Sequence, residues 1–439
     1  MIRGTGRQGV VGLAADGAGG FFASGSVAGT VDLGAGPFDT ESAVGNGFIG
    51  RFDGNCQRMW TRVVPGAEIS QLRLLDVHPG GDVVVLGQDL GSADLGGGPL
   101  PPGYGDVLAR YDGTGGLKWA KKFSSTPAAS SLGVPAFGDA GSVYLGGHLT
   151  GTIDLGGGVL SGPAPGGGAA MLLARFDTGG NHVWSRTFAP GAQAPNPNNG
   201  GIPFTPNHGV VAVLPTGGDI AFVGSFNGYV DVGGGTLPAG EAAPPSWIST
   251  LVTKRDAAGN HVWSRSFRGA PNYAARTPLS GVVYVAELGI ATVDFGVAGK
   301  AGPGPVVVSL SPGGDPVWVR QLPGAEDISR VAVDASGAVT VAGHFRGTRT
   351  FAGNTFTSHY VDAGDPGQSN DIFLVRYDAA GNPLWSGSFG GPGVDAANLV
   401  APQAGPGTLL AGGFHGSIDL LGMSYTAQIQ DAYVLKLNP

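Results

Sequence analysis

The sequence predicts an all-β protein, a seven-bladed β-propeller with four antiparallel strands per blade. Three observations predict it. A phrase closing on tryptophan recurs: Asp378-Ala-Ala-Gly-Asn-Pro-Leu-Trp385, Asp256-Ala-Ala-Gly-Asn-His-Val-Trp263 and Asp177-Thr-Gly-Gly-Asn-His-Val-Trp184, with weaker copies ending at Trp60, Trp119 and Trp318. A second phrase precedes each copy, from Val31-Asp-Leu-Gly34 and Ile153-Asp-Leu-Gly156 to Ile418-Asp-Leu-Leu421, and it occurs seven times. Between tryptophans lie 55 to 79 residues that hold four short apolar runs without helical periodicity, which is the mark of propeller blades.

Composition agrees. The chain of 439 residues has 83 Gly and 32 Pro, about a quarter of the total. That share signals disorder when no period is present. Yet 42% of residues are hydrophobic and only 13% charged, too apolar for a solvated coil. Glycine and proline must therefore punctuate many short buried strands.

Repeat six shows the elements most clearly. Arg330–Val333 is expected as strand A, and the Asp334-Ala-Ser-Gly337 turn leads to strand B, Val339–Phe345. A long polar connection precedes strand C, Ile372–Tyr377. The Asp378–Asn382 turn then leads to strand D, Leu384–Phe389. Both turns place Asp early and Gly late, as turns that need φ > 0 require. Strand C is apolar almost throughout, so both of its faces should be covered by neighbouring blades. The last repeat stops after Tyr433–Leu437, and the missing seventh tryptophan follows from that. Residues Met1–Gly6 are expected to supply the outer strand of blade seven and close residues 1–439 as one propeller domain without an open edge.

Several chemistries are set aside. The net charge is −8 and no Lys/Arg run follows an aromatic stripe, which argues against a nucleic-acid partner. No apolar stretch nears the ~18 residues of a membrane span. Gly4-Thr-Gly-Arg-Gln-Gly9 matches a dinucleotide pattern but lacks the strand before and the helix after it, so no cofactor is expected. Cys56 is the sole cysteine and excludes an internal disulfide. His182 and His261 share one repeat position, and His148 and His344 another. Such spacing scatters them over blades and makes no metal site. The repeated acids Asp32, Asp94, Asp154, Asp231, Asp294 and Asp419 read as turn caps, since no alternating oxygen ligands of a calcium loop surround them. The repeat tryptophans read as packing between blades.

The pairing of Val-Asp-Leu-Gly-Gly-Gly with Asp-Ala-Ala-Gly-Asn-His-Val-Trp-Ser-Arg-Ser-Phe resembles the bacterial β-propeller repeats of exported, often myxobacterial, proteins. The strand A–turn–strand B phrase is also similar to NHL-type propellers. The resemblance spans essentially the whole chain and implies export, with a binding or scaffold role and no catalytic motif. It leads to the expectation of an extracellular or cell-surface protein, although the first residues contain no export signal.

Function is expected on the side of the blades that carries the B–C and D–A connections, because these vary in length: Ala189–Asn207, Gly233–Ser246 and Ala352–Asn370. The candidate ligand-binding residues there are Trp247, Tyr273, Arg276 and His208, with the acids Glu68, Glu326, Asp327 and Asp395. An aromatic ring beside Arg and carboxylates suits a polyhydroxylated ligand. The reading is a monomeric, non-enzymatic binding or scaffold propeller for a glycan or protein. The alternative is a hydrolase or lyase with a carboxylate/His site at the mouth of a central channel. No acid–base pair is visible in the linear sequence.

Overall fold

In the computed structural model, residues 1–2, 35, 41–45, 65–68, 125–129, 134, 139, 164–168, 190–209, 214–217, 227–228, 239–247, 290–291, 360–369, 404–406, 428–429 and 438–439 are left undescribed, and all others are described. The chain folds as a seven-bladed β-propeller of antiparallel sheets. The only helical element among the described residues is a 3-10 turn, Gly296–Ala298. No helix there is long and apolar enough to cross a membrane.

Blade six is built from Ala325–Val333, Val339–Phe345, Asp371–Tyr377 and Pro383–Phe389, paired in that order. Strand B falls where the sequence puts it, and strands C and D each gain one residue at the start. Strand A begins five residues early, because bulges at Ala325/Asp327 and Ile328/Arg330 absorb its irregular pattern. Strand C is buried at every position, as a strand covered on both faces must be.

The chain groups into two compact units. One comprises Met1–Pro102, Ala109–Lys118 and Leu322–Pro439, and the other Gly103–Leu108 and Trp119–Gln321. In the first, blade seven packs on blade one through Leu399, Leu409 and Ala411 against Val10, Phe48 and Phe52. In the second, Tyr144, Leu173 and Trp184 meet Phe222, Phe226 and Leu251 of the next blade.

The Val-Asp-Leu-Gly phrase does more than cap a turn. It opens a two-stranded ribbon in the B–C connection, such as Thr152–Asp154 paired with Val159–Ser161. Ile153 and Leu155 are buried while Asp154 points out. The Asp154 carboxylate accepts the Gly156 and Gly158 amides at 2.8 and 3.1 Å, and Asp94 does the same in blade two. The glycine tip lies against His182 at the start of strand D, where a Cβ on Gly157 would run into the imidazole. This contact explains why Gly-Gly-Gly and Asn-His-Val-Trp travel together. The His182 ring bonds Ser185 at 3.0 Å, and His261 repeats this with Ser264 at 2.7 Å.

The tryptophans join blades. Trp60 donates Nε1–H to the Gly113 carbonyl in the C–D turn of the next blade at 2.9 Å. Trp119 reaches Thr178 at 2.9 Å, Trp184 reaches Ala257 at 3.0 Å and Trp263 reaches Pro312 at 3.0 Å. Two residues past each acceptor is a glycine at positive φ, such as Gly180 at 76° and Gly259 at 81°. A Cβ there would lie within 2.7 to 3.1 Å of the ring, so the Gly of Asp-x-x-Gly is required by the tryptophan as much as by the turn.

The expected closure needs correction. Residues Arg3–Gly4 pair with Asp32 and Val31 in the ribbon of blade one, and the Thr30 amide bonds Thr5 Oγ1 at 3.0 Å. They do not form the outer strand of blade seven. That sheet has three strands among the described residues, Asp395–Pro402, Thr408–Phe414 and Asp431–Leu437. The physical reason is register. Gly390, in the connection after strand D of blade six, bridges Asp419 just as Arg3 pairs with Asp32. Residues 3–6 therefore occupy the D–A connection and not the outer strand.

Trp184 is 8% exposed and Trp318 3%, while Trp60, Trp119, Trp263 and Trp385 are half-buried. Trp184→Ala is expected to lower stability by about 3–5 kcal/mol, and Trp119→Ala by less. Denaturant titration of the two variants measures this, and losses below about 0.5 kcal/mol for both would refute the packing role.

Candidate functional site

The two ends of the blades differ in what their carboxylates do. At the A–B and C–D end, carboxylates are consumed by their own turns. Asp378 Oδ1 accepts the Ala380 and Asn382 amides at 2.9 and 2.7 Å, and Asn382 Nδ2 bonds Oδ2 at 2.9 Å. Hydrogen bonds of this kind hold Asp112, Asp177, Asp256 and Asp378 below the usual carboxylate range. Asp16, Asp82 and Asp334 at that end are tied to Arg51, Arg110 and Arg376 of strand C. Little is left there to meet a ligand.

At the B–C and D–A end of blades six and seven, histidines face carboxylates instead. His344 ends strand B of blade six, and its Nδ1 lies 2.8 Å from Asp327 Oδ1 in strand A. The Asp327 carboxylate also accepts the His344 amide at 3.2 Å. Across the ring, Nε2 accepts the Ala397 amide of blade seven at 3.1 Å. That bond makes Nδ1 the protonated nitrogen of the neutral ring and points it at the carboxylate. Burial pushes the Asp327 carboxyl up, but the hydrogen bonds from His344 outweigh it, and the net shift is downward.

The second pair is His359 with Asp371. His359 Nδ1 stands 2.9 Å from Asp371 Oδ2, and the His359 amide donates to Oδ1 at 3.1 Å. The side chain of Asp371 is 3% exposed and that of His359 54%, so a buried carboxylate orients a surface imidazole. Burial raises Asp371 against those hydrogen bonds. Gly390 lies against its carboxyl, close enough that a Cβ would collide. The next amide, Gly391, donates to Asp395 Oδ2 at 2.6 Å. Asp395 is 1% exposed, and its Oδ1 is buried without a partner. Burial, reinforced by the nearby Asp371 charge, pushes its carboxyl up to about 8.

Of the residues singled out from sequence, Trp247, His208 and Glu68 lie outside the described residues. Asp327 and Asp395 fall on adjacent blades, and Glu326 is exposed beside the first. Arg276 must be reassigned. It ends strand A of blade five, Ala270–Arg276, next to the Thr277–Gly281 turn, so it sits at the opposite end of the blade. Tyr273, three residues earlier, is half-buried within that strand. Residues an odd number apart point to opposite faces of a strand, and the two do not form one subsite. His359 and Asp371 are additions that sequence reasoning missed. A signal existed, since Asp106, Asp371 and Asp431 all stand at the head of strand C and are buried. No group of three His, Cys, Asp or Glu side chains suited to a metal ion occurs among the described residues.

No family model matches the chain, and no curated protein matches it. Solved propellers are similar in fold. The Dos1 propeller shares 10% identity over 99% of this chain and 93% of its own, with a TM-score of 0.41. An acylaminoacyl peptidase of Pyrococcus horikoshii shares 8% over 95% of this chain and 52% of its own, at 0.47. The NanB sialidase from Streptococcus pneumoniae shares 9% over 98% of this chain and 68% of its own, at 0.37. This chain spans about half the length of the peptidase. Enzymes and a protein named only as a propeller stand together here, so the likeness is one of fold.

Asp395 gives a pH signature. Its native pKa of about 8 lies above the unfolded value of about 3.9. The stability it contributes is therefore complete below about pH 4 and is lost as pH rises toward 8. Asp395→Asn keeps an acceptor for the Gly391 amide and removes the ionisation. Thermal melts from pH 4 to 9 should show a shallower decline for the variant, with a higher Tm than the parent at pH 8. Parallel curves would show that Asp395 ionises normally.

Proposed function

We propose that this chain is a non-enzymatic binding propeller whose ligand face is the B–C and D–A end of blades six and seven. The observation that carries the reading is the His359–Asp371 pair at 2.9 Å, with an exposed imidazole braced by a buried carboxylate. His344–Asp327 is a second such pair in the same blade with the depths reversed, the imidazole enclosed and the carboxylate exposed. The His359 imidazole and the exposed Asp327 carboxylate supply fixed polar groups, which is what hydroxyl groups of a glycan or polar side chains of a protein need. Trp247 and His208 are proposed separately, as the aromatic and polar ligand groups of the connections in blade four. Membership in the exported bacterial repeat family, with a place outside the cell or on its surface, accords with the repeat phrases and the binding role.

The alternative, hydrolysis or elimination by a carboxylate/His site, has one observation in its favour: Asp395 keeps its proton to about pH 8. A general acid must reach the atom it protonates. Asp395 is 1% exposed and so stores its proton beneath the surface. Binding is therefore the better reading.

Glycan and protein-partner screening of the purified chain tests this. For a ligand so found, His359→Ala, or Trp247→Ala where the ligand sits on blade four, should weaken binding at least tenfold, about 1.4 kcal/mol, with an unchanged melting temperature. Retained affinity in both, with loss on changing His182 and His261, would move the site to the other end of the blades.

A further inference from the structure

Blade four carries an arginine where the other blades carry a core residue. Strand C ends on Phe52, Tyr111, Phe176, Leu310, Tyr377 and Leu437 in those blades, and all six are buried. In blade four, strand C is Ser249–Arg255, and Arg255 is 3% exposed. The exchange keeps the contacts of the repeat. Phe123 stacks on Phe176 at 5.5 Å between blades two and three. At the same place between blades three and four, the Arg255 guanidinium lies 4.3 Å over the Phe188 ring. The Tyr111 hydroxyl donates to the ribbon carbonyl of Leu95 at 3.1 Å, and Arg255 Nη2 donates to the matching carbonyl of Val232. What blade four adds is a charge.

That charge is bonded to no carboxylate among the described residues. Arg255 Nη1 donates to the Gly259 carbonyl at 2.8 Å, and Nε is buried without a partner. The acids of blade four are engaged elsewhere. Asp219 is held by Lys254 at 3.2 Å, and Asp256 accepts the Ala258 and Asn260 amides and Asn260 Nδ2. A second cation faces the same seam. Arg186, on strand D of blade three, is exposed, and its Nη1 bonds the carbonyl of Ser185 at 3.0 Å. Its counterparts are better placed: Arg62 donates to the turn carbonyl of Gly115, and Arg265 reaches Asp315 at 3.4 Å. Arg255 has taken the Gly259 carbonyl that matches Gly115. Burial, and then the Arg186 charge, bring the Arg255 guanidinium down to about 10. At the rim, burial and then Arg255 lower the His261 ring against the pull of Asp231.

A buried cation with no counter-charge costs free energy. Two guanidiniums at one seam are what an oxyanion relieves, because each offers a fork of N–H donors. We propose that Arg186 and Arg255 form a binding site for one oxyanion group, a sulfate, phosphate or carboxylate, in the seam between blades three and four. Arg186 contacts the anion from the surface, and Arg255 supplies the fixed charge behind it. Gly233 of the ribbon stands by the guanidinium, a Cβ position there lying 3.9 Å from Nη2, so the glycine tip sets no side chain over it. Carboxylates at this end of the blades are spent on their turns, whereas these two cations are not. The site shares no residue with the His359–Asp371 pair and goes beyond the binding role proposed for it.

The test titrates the whole chain with sodium sulfate against sodium chloride of equal ionic strength. The assigned His261 ring is followed by NMR, and melting temperatures are recorded in parallel. Sulfate should shift the His261 signals saturably and raise the pKa of that ring, since an anion then faces it. Arg186→Gln should weaken sulfate binding at least tenfold, and as a surface change it tests the site even if a core variant fails to fold. Arg255→Phe restores the residue type of blades one and three. It should melt higher than the parent in chloride and lose the sulfate-specific gain in melting temperature. Glucuronate and glucose, compared with sulfate, identify the carrier. Glucuronate bound at least tenfold more tightly than sulfate, with no binding of glucose, assigns the oxyanion to an acidic sugar, and weaker binding assigns it to a free anion. An equal sulfate response in the parent and both variants is a general salt effect and overturns the proposal. No saturable response in the parent overturns it as well.

Discussion

Blades one to four are each held to the next by one indole laid over one turn. The ring needs a flat, open partner, and the Asp-x-x-Gly turn provides it only because its fourth residue lacks a side chain. The Nε1–H then finds the carbonyl two residues earlier. The same turn is rigid because its Asp accepts two of its own amides. A buried or half-buried donor, a satisfied turn and a glycine at positive φ are thus one device, and the long spacing between tryptophans is simply the length of a blade. Strand C can be apolar on both faces because this latch keeps a neighbour against it.

The same dependence explains what the sequence made legible. Strand B of repeat six, Val339–Phe345, agrees to the residue, and the strict chemistry of the Asp334–Gly337 turn fixes its start. The ribbons were hidden. Val-Asp-Leu-Gly reads as a cap, and its strands of two to four residues are too short to show a period. They become visible only when Ile153 and Leu155 are seen buried on either side of Asp154. The placement of Met1–Gly6 failed for another reason. A missing strand and a spare segment suggest each other, but register depends on pairing with Val31 and Asp32, which no local pattern encodes.

The candidate site was partly legible. Asp327 and Asp395 stand out as acids in D–A connections, and both lie at the end of the blades where function was expected. Their chemistry differs because of what faces them. Burial pushes both carboxyls up, but at Asp327 the bonds from His344 outweigh it and the shift is downward. Asp395 has the Gly391 amide alone against burial and the Asp371 charge, and its carboxyl shifts up. Partners decide the sign, and partners are set by the assembled blades. His359 and Asp371 escaped notice because a histidine at the close of one connection and an acid heading a strand acquire meaning only when brought within 2.9 Å.

On the proposed reading, the two ends of the blades divide the labour between stability and recognition. Turns at the A–B and C–D end spend their polar groups on themselves and on strand C arginines, which fixes each sheet and seats the next tryptophan. Connections at the other end vary in length, and among their described polar side chains His359 and Asp327 face outward while Asp371 and Asp395 are buried. His344 is the exception that joins the two roles. It presents one nitrogen to Asp327 and uses the other to accept an amide of the next blade. A change of charge on that ring would alter the bond to Ala397 as well as the surface. On the proposed reading, recognition at blade six is therefore coupled to the seam with blade seven.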